Sequence, residues 1–340
     1  MAALEKGLQY WKAPRDWGSD ELELLQLMGR PTRIEIPGRD TSRCRVLVTL
    51  LHGNEPSGLR AMRQLLLEDC KPAVTLYCYV IAITEALTMP QFSHRQLPGK
   101  RDYNRCFRPP FDNDEQGRFC DCLLQEIKAL QPEAVVDMHN TSGAGPDFGV
   151  TTSYATSHDD IVSLFTPRLI VTSLRLGALM ETNSESIPVV TIECGGANSV
   201  KADQMAYAGL QKYFTTDNLT DNKATNSGLD VYYSPLRIEM HEATTIAYGN
   251  SFVPGTDITL KTDIDRHNFD LVTPDTLLGW VNDTAMNSMA AFDATRSNHF
   301  KEFYRSENGV LFPRFRQKMF MITRNASIAT SDCLWYVVPE

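Results

Sequence analysis

Continuous apolar runs and helix-spaced apolar positions alternate along residues 20–214. RVLVTLL (45–51) and VTLYCYVIAI (74–83) are apolar almost without interruption, which is typical of strands buried on both faces. Between these runs, Leu59, Met62 and Leu65 recur at helical spacing. The same two patterns predict further strands over 33–36, 134–139 and 188–195, and helices over 20–28, 58–70, 119–130 and 203–214.

Strands that alternate with helices favour an α/β fold, here a mostly parallel mixed sheet flanked by helices. The alternation ends near residue 215, and 216–228 (TDNLTDNKATNSG) is polar and aperiodic, as linkers are. Beyond it the pattern changes to short strand-like runs with turn residues between them, such as TDITLKT and GVLFPRF. We therefore predict an α/β domain over 1–215, a linker over 216–228 and a smaller, mostly β domain over 229–340.

Charge and cysteine content narrow the class of protein. The 340 residues carry a formal net charge of −9 without a basic block, which argues against nucleic acid or an anionic membrane as a partner. We find neither an apolar run of membrane-spanning length nor a secretory signal. The eight cysteines form no CxxC pair and fit reduced thiols. We expect a soluble, cytoplasmic protein; its oligomeric state is not readable from the sequence.

Side chains suited to metal binding or acid–base chemistry follow three of the predicted strands. His52 and Glu55 come just after RVLVTLL, His139 ends its apolar run, and Glu193 lies near the end of another. In open α/β sheets, ligands bind at the carboxyl ends of the strands. We therefore expect these four side chains to meet at one edge of the sheet.

Two imidazoles and one carboxylate are a common ligand set for a catalytic zinc ion, which keeps a fourth position for water. His52, Glu55 and His139 provide this set. Gly53 would let the chain bend between the first two ligands, and Pro56 could begin the helix that follows. Zinc lowers the pKa of its water to about 7, and cobalt or manganese could replace it at such ligands.

The remaining polar residues fit the handling of a substrate. Glu193 precedes Gly195 and Gly196 and is suited to a general base that passes a proton to a leaving amine. Arg105 offers a bidentate fork for a substrate carboxylate, and Asn104 beside it could orient the substrate. Asp137, two residues before the expected ligand of its strand, lies on the same side and is expected to support it.

These motifs together resemble a known family. HGNEPSG, YNRCF, VVDMHNTSG and TIECGG, in this order, are similar to the motifs of the succinylglutamate desuccinylase/aspartoacylase family. That family belongs to the wider zinc-carboxypeptidase-like fold. The resemblance covers about residues 45–200, and GVLFP (309–313) matches it more loosely.

The resemblance implies a hydrolase that cleaves a small N-acyl amino acid into an amino acid and a carboxylate. It implies one zinc ion per chain, bound by His52, Glu55 and His139. Glu193 would be the general base and acid. The C-terminal β domain would partly cover the mouth of the active site. Asn104 and Arg105 would bind the carboxylate of the substrate.

The chain departs from the family pattern at two arginine positions. Family members place an arginine several residues before the Asn-Arg pair to polarise the scissile carbonyl. Here Arg101 lies three residues before it and Arg95 nine; either could serve, and Arg101 is the residue that we predict for this role. Aspartoacylases also carry an arginine about ten residues before the catalytic glutamate. That position is Asn183, flanked by Glu181 and Glu185. N-acetylaspartate and N-succinylglutamate are therefore both in doubt as substrates.

Three functions stay open at this point. The first is a zinc-dependent deacylase of amino-acid metabolism. The second is a metallocarboxypeptidase that uses Arg105 for the terminal carboxylate of a peptide, which a wider, uncovered cleft would favour. The third is a metal-binding or ligand-binding relative without catalysis, and the intact Glu193 argues against it because binding alone needs no base.

Overall fold

The computed structural model of the chain describes residues 7–12, 16–141, 143, 145–219, 228–241, 243–293 and 295–340. These residues divide into two compact units. One holds the described residues of Met1–Asn140, Asp147–Val171 and Arg175–Val231, and the other those of Thr141–Pro146, Thr172–Leu174 and Tyr232–Glu340. Most of the predicted linker lies outside the described residues, because 220–227 are among those left out, and the linker stays a prediction.

The first unit is built on a mixed sheet with nine strands among the described residues. The strands are β1 (Gln9–Lys12), β2 (Thr32–Ile36), β3 (Asp40–Thr49), β4 (Val74–Val80), β5 (Val135–Thr141), β6 (Phe148–Thr151), β7 (Arg168–Val171), β8 (Val189–Gly196) and β9 (Asp230–Tyr233). Their order in the sheet is β1-β2-β4-β3-β5-β8-β6-β7-β9. The helices are α1 (Glu21–Met28), α2 (Ser57–Leu67), α3 (Ile83–Leu87), α4 (Glu115–Leu130), α5 (Thr156–Val162) and α6 (Val200–Thr215).

The central strands are buried on both faces, as the continuous apolar runs predict. β3 pairs in parallel with β4 and with β5. On one face of the sheet, Leu47 packs in a core that includes Leu59 of α2. On the other face, Val46 and Val48 pack in a core that includes Leu123 of α4. Because side chains alternate across a strand, two helix-covered faces require apolar residues at successive positions, and the predicted α/β fold is confirmed.

Element boundaries differ from the predicted ones where capping residues act. The helix predicted over 119–130 begins at Glu115, because the Asp114 side chain accepts a hydrogen bond from the Gly117 backbone N–H. The helix predicted over 58–70 ends at Leu67. The short strands β1, β6 and β7 and the short helices α3 and α5 have no predicted counterpart.

The second unit is mostly β, as predicted. Among its described residues, the strands are β10 (Leu236–Met240), β11 (Ile246–Gly249), β12 (Ile258–Lys261), β13 (Leu271–Val272), β14 (Gly279–Val281), β15 (Met289–Phe292), β16 (Tyr304–Glu307), β17 (Val310–Pro313), β18 (Gln317–Phe320) and β19 (Trp335–Pro339). They form two five-stranded sheets, with the orders β13-β18-β19-β10-β15 and β11-β12-β14-β17-β16. The helices described in this unit are α7 (Asp283–Ser288), α8 (Phe300–Phe303) and α9 (Ala326–Ser331). In its core, the Trp335 indole N–H donates to the Tyr304 hydroxyl over 2.8 Å.

None of the helices in the described ranges has the length and apolar character that crossing a bilayer requires.

Candidate metal centre and active site

The sheet order brings three strands with polar ends side by side. β5 lies between β3 and β8 in the sheet. His52 and Glu55 follow β3, His139 lies in β5 and Glu193 lies in β8. Because neighbouring strands are about 5 Å apart, side chains at corresponding ends of these strands can reach one another.

Three of these side chains converge. His52, Glu55 and His139 are all buried, and one ligand atom from each lies within 4.8 Å of the other two. His52 Nδ1 lies 2.8 Å from Glu55 Oε1, and His139 Nδ1 lies 2.7 Å from Glu55 Oε2. The two Nδ1 atoms are 3.2 Å apart. The structure therefore brings together the three residues that the sequence suggests as metal ligands.

The outer nitrogen of each imidazole faces a carboxylate. His52 Nε2 lies 2.9 Å from Asp102 Oδ1, and His139 Nε2 lies 2.9 Å from Asp137 Oδ2. Since a carboxylate accepts a hydrogen bond, each Nε2 bears a hydrogen, and each Nδ1 is directed toward Glu55. Metal-binding histidines are held in this way. Two Nδ1 atoms and a carboxylate converge on one point, where they can share a cation, either a proton or a divalent metal. These residues therefore fit a divalent metal.

The short distances within the cluster also shift the pKa values of Glu55 and His139. Burial raises the pKa of Glu55, but the imidazoles of His52 and His139 outweigh it and hold that pKa well below its usual range. Burial likewise lowers the pKa of His139, yet the Asp137 and Glu55 carboxylates raise it well above that of an ordinary histidine. The buried carboxylates thus favour a positive charge among them.

The turn that bears the first two ligands is shaped by close packing. The left-handed residue of this turn is Leu50, with φ of 57°, and Gly53 does not share that conformation. Gly53 is needed for another reason: a Cβ there would lie 2.5 Å from Glu85 Cβ and 2.6 Å from the Ala86 backbone nitrogen. Pro56 lies just outside α2, which begins at Ser57. Gly53 lies in the turn between the two potential ligands, since Glu55 N–H donates to the His52 carbonyl, and its missing side chain also permits close contact with α3.

Glu193 is the fourth polar residue of this edge. Its Oε2 atom is buried and accepts no hydrogen bond within the described ranges. Burial, together with the nearby Glu55 charge, raises the pKa of Glu193 to about 7, although His139 and His52 act in the opposite direction. A partly buried carboxyl whose pKa is raised toward neutrality and that keeps an oxygen available can accept and return a proton.

Comparisons with known proteins address the fold. No family model and no curated protein matches the chain. Solved structures do match it. A succinylglutamate desuccinylase/aspartoacylase from Rhodobacter sphaeroides has a TM-score of 0.55 and 15% identity, covering 86% of this chain and 83% of the other. The chain has the fold of these deacylase structures. The family resemblance is thereby confirmed at the level of fold.

Two further structures are similar over most of their length. A succinylglutamate desuccinylase from Chromobacterium violaceum has a TM-score of 0.54 and 11% identity, covering 90% of this chain and 87% of the other. Murine aminoacylase 3 has a TM-score of 0.52 and 14% identity, covering 89% of this chain and 99% of the other. At such low sequence identities, the similarity shows that the chain has a deacylase-type fold. It does not assign roles to individual residues.

The two candidate arginines lie in different surroundings. Arg95 donates to Asp102 Oδ2 over 2.9 Å and lies 3.7 Å from Glu55 Oε1, and its backbone carbonyl accepts from Gly53 N–H. Arg101 instead pairs with Asp112 and Asp114, at 2.7 and 2.8 Å. The structure thus brings Arg95, and not Arg101, to the cluster of potential ligands.

Asn104 and Arg105 lie next to the cluster on a 3-10 turn. Asn104 is buried, its amide nitrogen is 3.3 Å from His139 Nε2, and its amide oxygen accepts from Leu179 N–H over 2.9 Å. Arg105 donates to the Asn104 carbonyl. It also borders a cavity of about 410 Å³, which is lined in addition by Arg101, Cys106, Arg108, Pro109, Pro110, Asp112 and Leu176.

The position at which aspartoacylases carry an arginine has a structural role here. Asn183 Oδ1 accepts from Val189 N–H and lies 2.9 Å from His158 Nε2. The Glu181 carboxylate accepts from two backbone N–H groups, those of Leu176 and Ala178. The negative charge of Glu181 is therefore stabilised by N–H groups of its own turn. Glu185, on the other side of Asn183, is exposed.

Two residues of this site were not predicted from the sequence. Asp102 accepts from Asn104 N–H as well as facing His52, and its pKa is held low because the His52, Arg95 and Arg105 charges outweigh the effect of burial. Its only sequence signal is a carboxylate two residues before the Asn-Arg pair. Asn140 directly follows the third ligand, and its backbone N–H donates to Glu55 Oε2 over 3.1 Å.

Proposed function

We propose that this protein is a zinc-dependent hydrolase that cleaves the amide bond of an N-acyl amino acid. The observation that carries the proposal is the convergence of His52 Nδ1, Glu55 and His139 Nδ1, with the outer nitrogen of each imidazole held by a buried carboxylate. The deacylase-type fold supports the same reaction class.

The proposed metal ligands are His52, Glu55 and His139, with one zinc ion per chain. Their donor set of two imidazole nitrogens and one carboxylate suits zinc, and cobalt or manganese are the nearest substitutes. When bound, zinc makes a water nucleophilic at neutral pH and polarises a carbonyl. Asp102 and Asp137 keep the two imidazoles oriented for binding.

Glu193 is the proposed general base and acid. Its carboxylate takes a proton from the attacking water and returns it to the leaving amine nitrogen, so that the amide C–N bond breaks and a C–O bond forms. In the metal-free chain the pKa of Glu193 is raised to about 7, so that neither the anion nor the acid is strongly disfavoured near neutral pH.

Arg95 is the proposed group that stabilises the negative charge that develops on the scissile carbonyl oxygen. It lies beside the cluster, whereas Arg101 is engaged with two aspartates. Arg105 is proposed to bind the substrate carboxylate as a bidentate fork. Asn104 is proposed to orient the substrate through its side-chain amide nitrogen, while its amide oxygen accepts from Leu179 N–H.

Metal analysis and a substrate panel test the proposal together. We expect close to one zinc per chain after gentle purification, and hydrolysis of at least one class among N-acetyl, N-formyl and N-succinyl amino acids. A chelator should abolish the activity, and added zinc should restore it. A protein without any transition metal would contradict the central claim. Hydrolysis confined to C-terminal dipeptides would establish a carboxypeptidase instead, and metal binding without any hydrolysis would establish a non-catalytic relative.

The choice between the two arginines has its own test. Arg95→Ala is expected to lower kcat about 100-fold or more, the usual effect of losing one group that stabilises an oxyanion. Arg101→Ala is the matched control and should leave kcat essentially unchanged, because its ion pairs are with Asp112 and Asp114. Zinc content must be measured in both variants. A larger loss in Arg101→Ala would assign the role to Arg101, and equal losses would contradict the assignment to Arg95 alone.

A further inference from the structure

The residue after the third ligand connects three elements of the proposed site. Asn140 is 3% exposed, and its side-chain oxygen accepts from the Ser57 backbone N–H over 3.1 Å. Its side-chain nitrogen donates to Ser57 Oγ and to the Gly195 carbonyl, each over 2.9 Å. Both hydrogens of the amide nitrogen are therefore used, one toward the start of α2 and one toward β8.

The two partners of this amide lie close in sequence to groups of the proposed chemistry. Ser57 is two residues after Glu55, and Gly195 is two residues after Glu193. Asn140 itself follows His139, and its backbone N–H donates to the Glu55 carboxylate. One buried side chain thus ties the turn of the first two ligands, the strand of the third ligand and the strand of the general base.

The Ser57 side of this connection is anchored further. Ser57 is fully buried, and its hydroxyl donates to Asp203 Oδ1 of α6 over 2.6 Å. Asp203 in turn pairs with Arg60 of α2 at 3.2 Å. A buried amide in such a network has few alternative partners, so its position is strongly determined. Displacements of about 1 Å in a catalytic group can cost about 100-fold in rate.

We infer that Asn140 is a positioning residue that sets the distance between the metal ligands and Glu193. The inference rests on the proposed function for its catalytic consequence, but the connection itself exists in the metal-free chain. Its side chain contacts Ser57 and Gly195 and none of the proposed ligand or proton-transfer groups, so it would act through those two residues. Its loss should loosen two segments that are distant in sequence, 52–58 and 193–197.

Amide hydrogen exchange on the metal-free protein tests the connection without any assay of activity. In Asn140→Ala, exchange of the Ser57 amide and of segment 193–197 should become about tenfold faster, because their partner is removed. In Asn140→Asp, the Ser57 N–H keeps an acceptor while the Gly195 carbonyl loses its donor. Faster exchange should then be confined to 193–197. The aspartate variant also supplies the test if the alanine variant does not fold.

Asn183→Ala is the matched control, because the amide of this partly buried residue also joins separate segments but contacts Ser153, His158 and Val189. It should leave the exchange of 52–58 and 193–197 unchanged. Unchanged exchange of both segments in Asn140→Ala, or the same acceleration in Asn183→Ala, would overturn the inference.

Zinc affinity and kinetics then measure the consequence for the proposed site. Competition with a chromophoric chelator should show zinc affinity about 10–100-fold lower in Asn140→Ala, the usual effect of losing a partner that supports a ligand. At saturating zinc, kcat should fall more than KM rises, since the base is misplaced while the substrate site stays intact. If the wild-type protein binds no zinc, the proposed function fails, while the exchange result still decides the positioning role.

Discussion

Replacing Glu193 with glutamine is expected to lower kcat by two to four orders of magnitude, the contribution of a positioned general base. Glutamine has nearly the same shape but accepts no proton at neutral pH. Zinc content should stay close to one per chain, because Glu193 is not among the three converging ligand groups. Steady-state hydrolysis assays measure kcat, and elemental analysis of the same preparation measures the zinc content per chain.

The pH dependence provides a second signature of this residue. A base must be deprotonated, so kcat/KM of the wild-type protein should fall as pH drops through the pKa of Glu193, which is about 7 in the metal-free chain. A divalent cation nearby favours the carboxylate and moves this limb to lower pH. The glutamine variant should lack the limb.

Glu185→Gln is the control for this substitution, because Glu185 is an exposed carboxyl on the segment that precedes β8. It should retain full activity and the acidic limb. If Glu193→Gln retained wild-type turnover, Glu193 could not be the base, and the proton would have to pass through another group of the site.

Replacing His139 with alanine is expected to remove the metal. Loss of one of the three ligands should weaken zinc binding by more than about 100-fold, since losing only a supporting partner already costs about 10–100-fold. The change also leaves the buried Asp137 and Glu55 carboxylates without their shared cation, which should lower the free energy of unfolding of the metal-free protein by about 3–5 kcal/mol. Elemental analysis, chelator competition and denaturant unfolding measure these effects.

His158→Ala is the matched control for the histidine. His158 is also buried, but it lies on α5 and contacts Asn183. Its replacement should reduce stability while zinc content stays near one per chain. Full zinc content in His139→Ala would show that the ion, if bound, lies elsewhere, and the proposed centre would have to be abandoned.

The long apolar runs predicted the central sheet well, because burial on both faces leaves little choice of residue. β3, β4, β5 and β8 were all predicted, with boundaries that differ by a few residues. The four-residue strands β1, β6 and β7 were missed, since so few residues show no clear period. These strands are defined by their hydrogen bonds to neighbouring strands, and a pattern within the strand itself does not reveal such pairing.

The potential ligands were predicted because their chemistry is distinctive and each follows a buried strand. The residues that hold these ligands were harder to find. Asp102 reaches His52 across 50 positions of sequence, and Arg95 reaches the same carboxylate from an irregular segment. Neither contact has a periodic signal. Arg101 was as reasonable a choice as Arg95 until the aspartates that neutralise it were seen.

The sequence by itself determined the α/β class, the candidate ligand set His52, Glu55 and His139, and the presence of a glutamate suited to proton transfer. These follow from burial patterns and side-chain chemistry, which are properties of single residues and their near neighbours. Only the tertiary structure decided that β5 lies between β3 and β8, that Gly53 serves close packing, and that Arg95 and Asn140 face the site. Those facts depend on strand order and on contacts between distant segments, which no local pattern specifies.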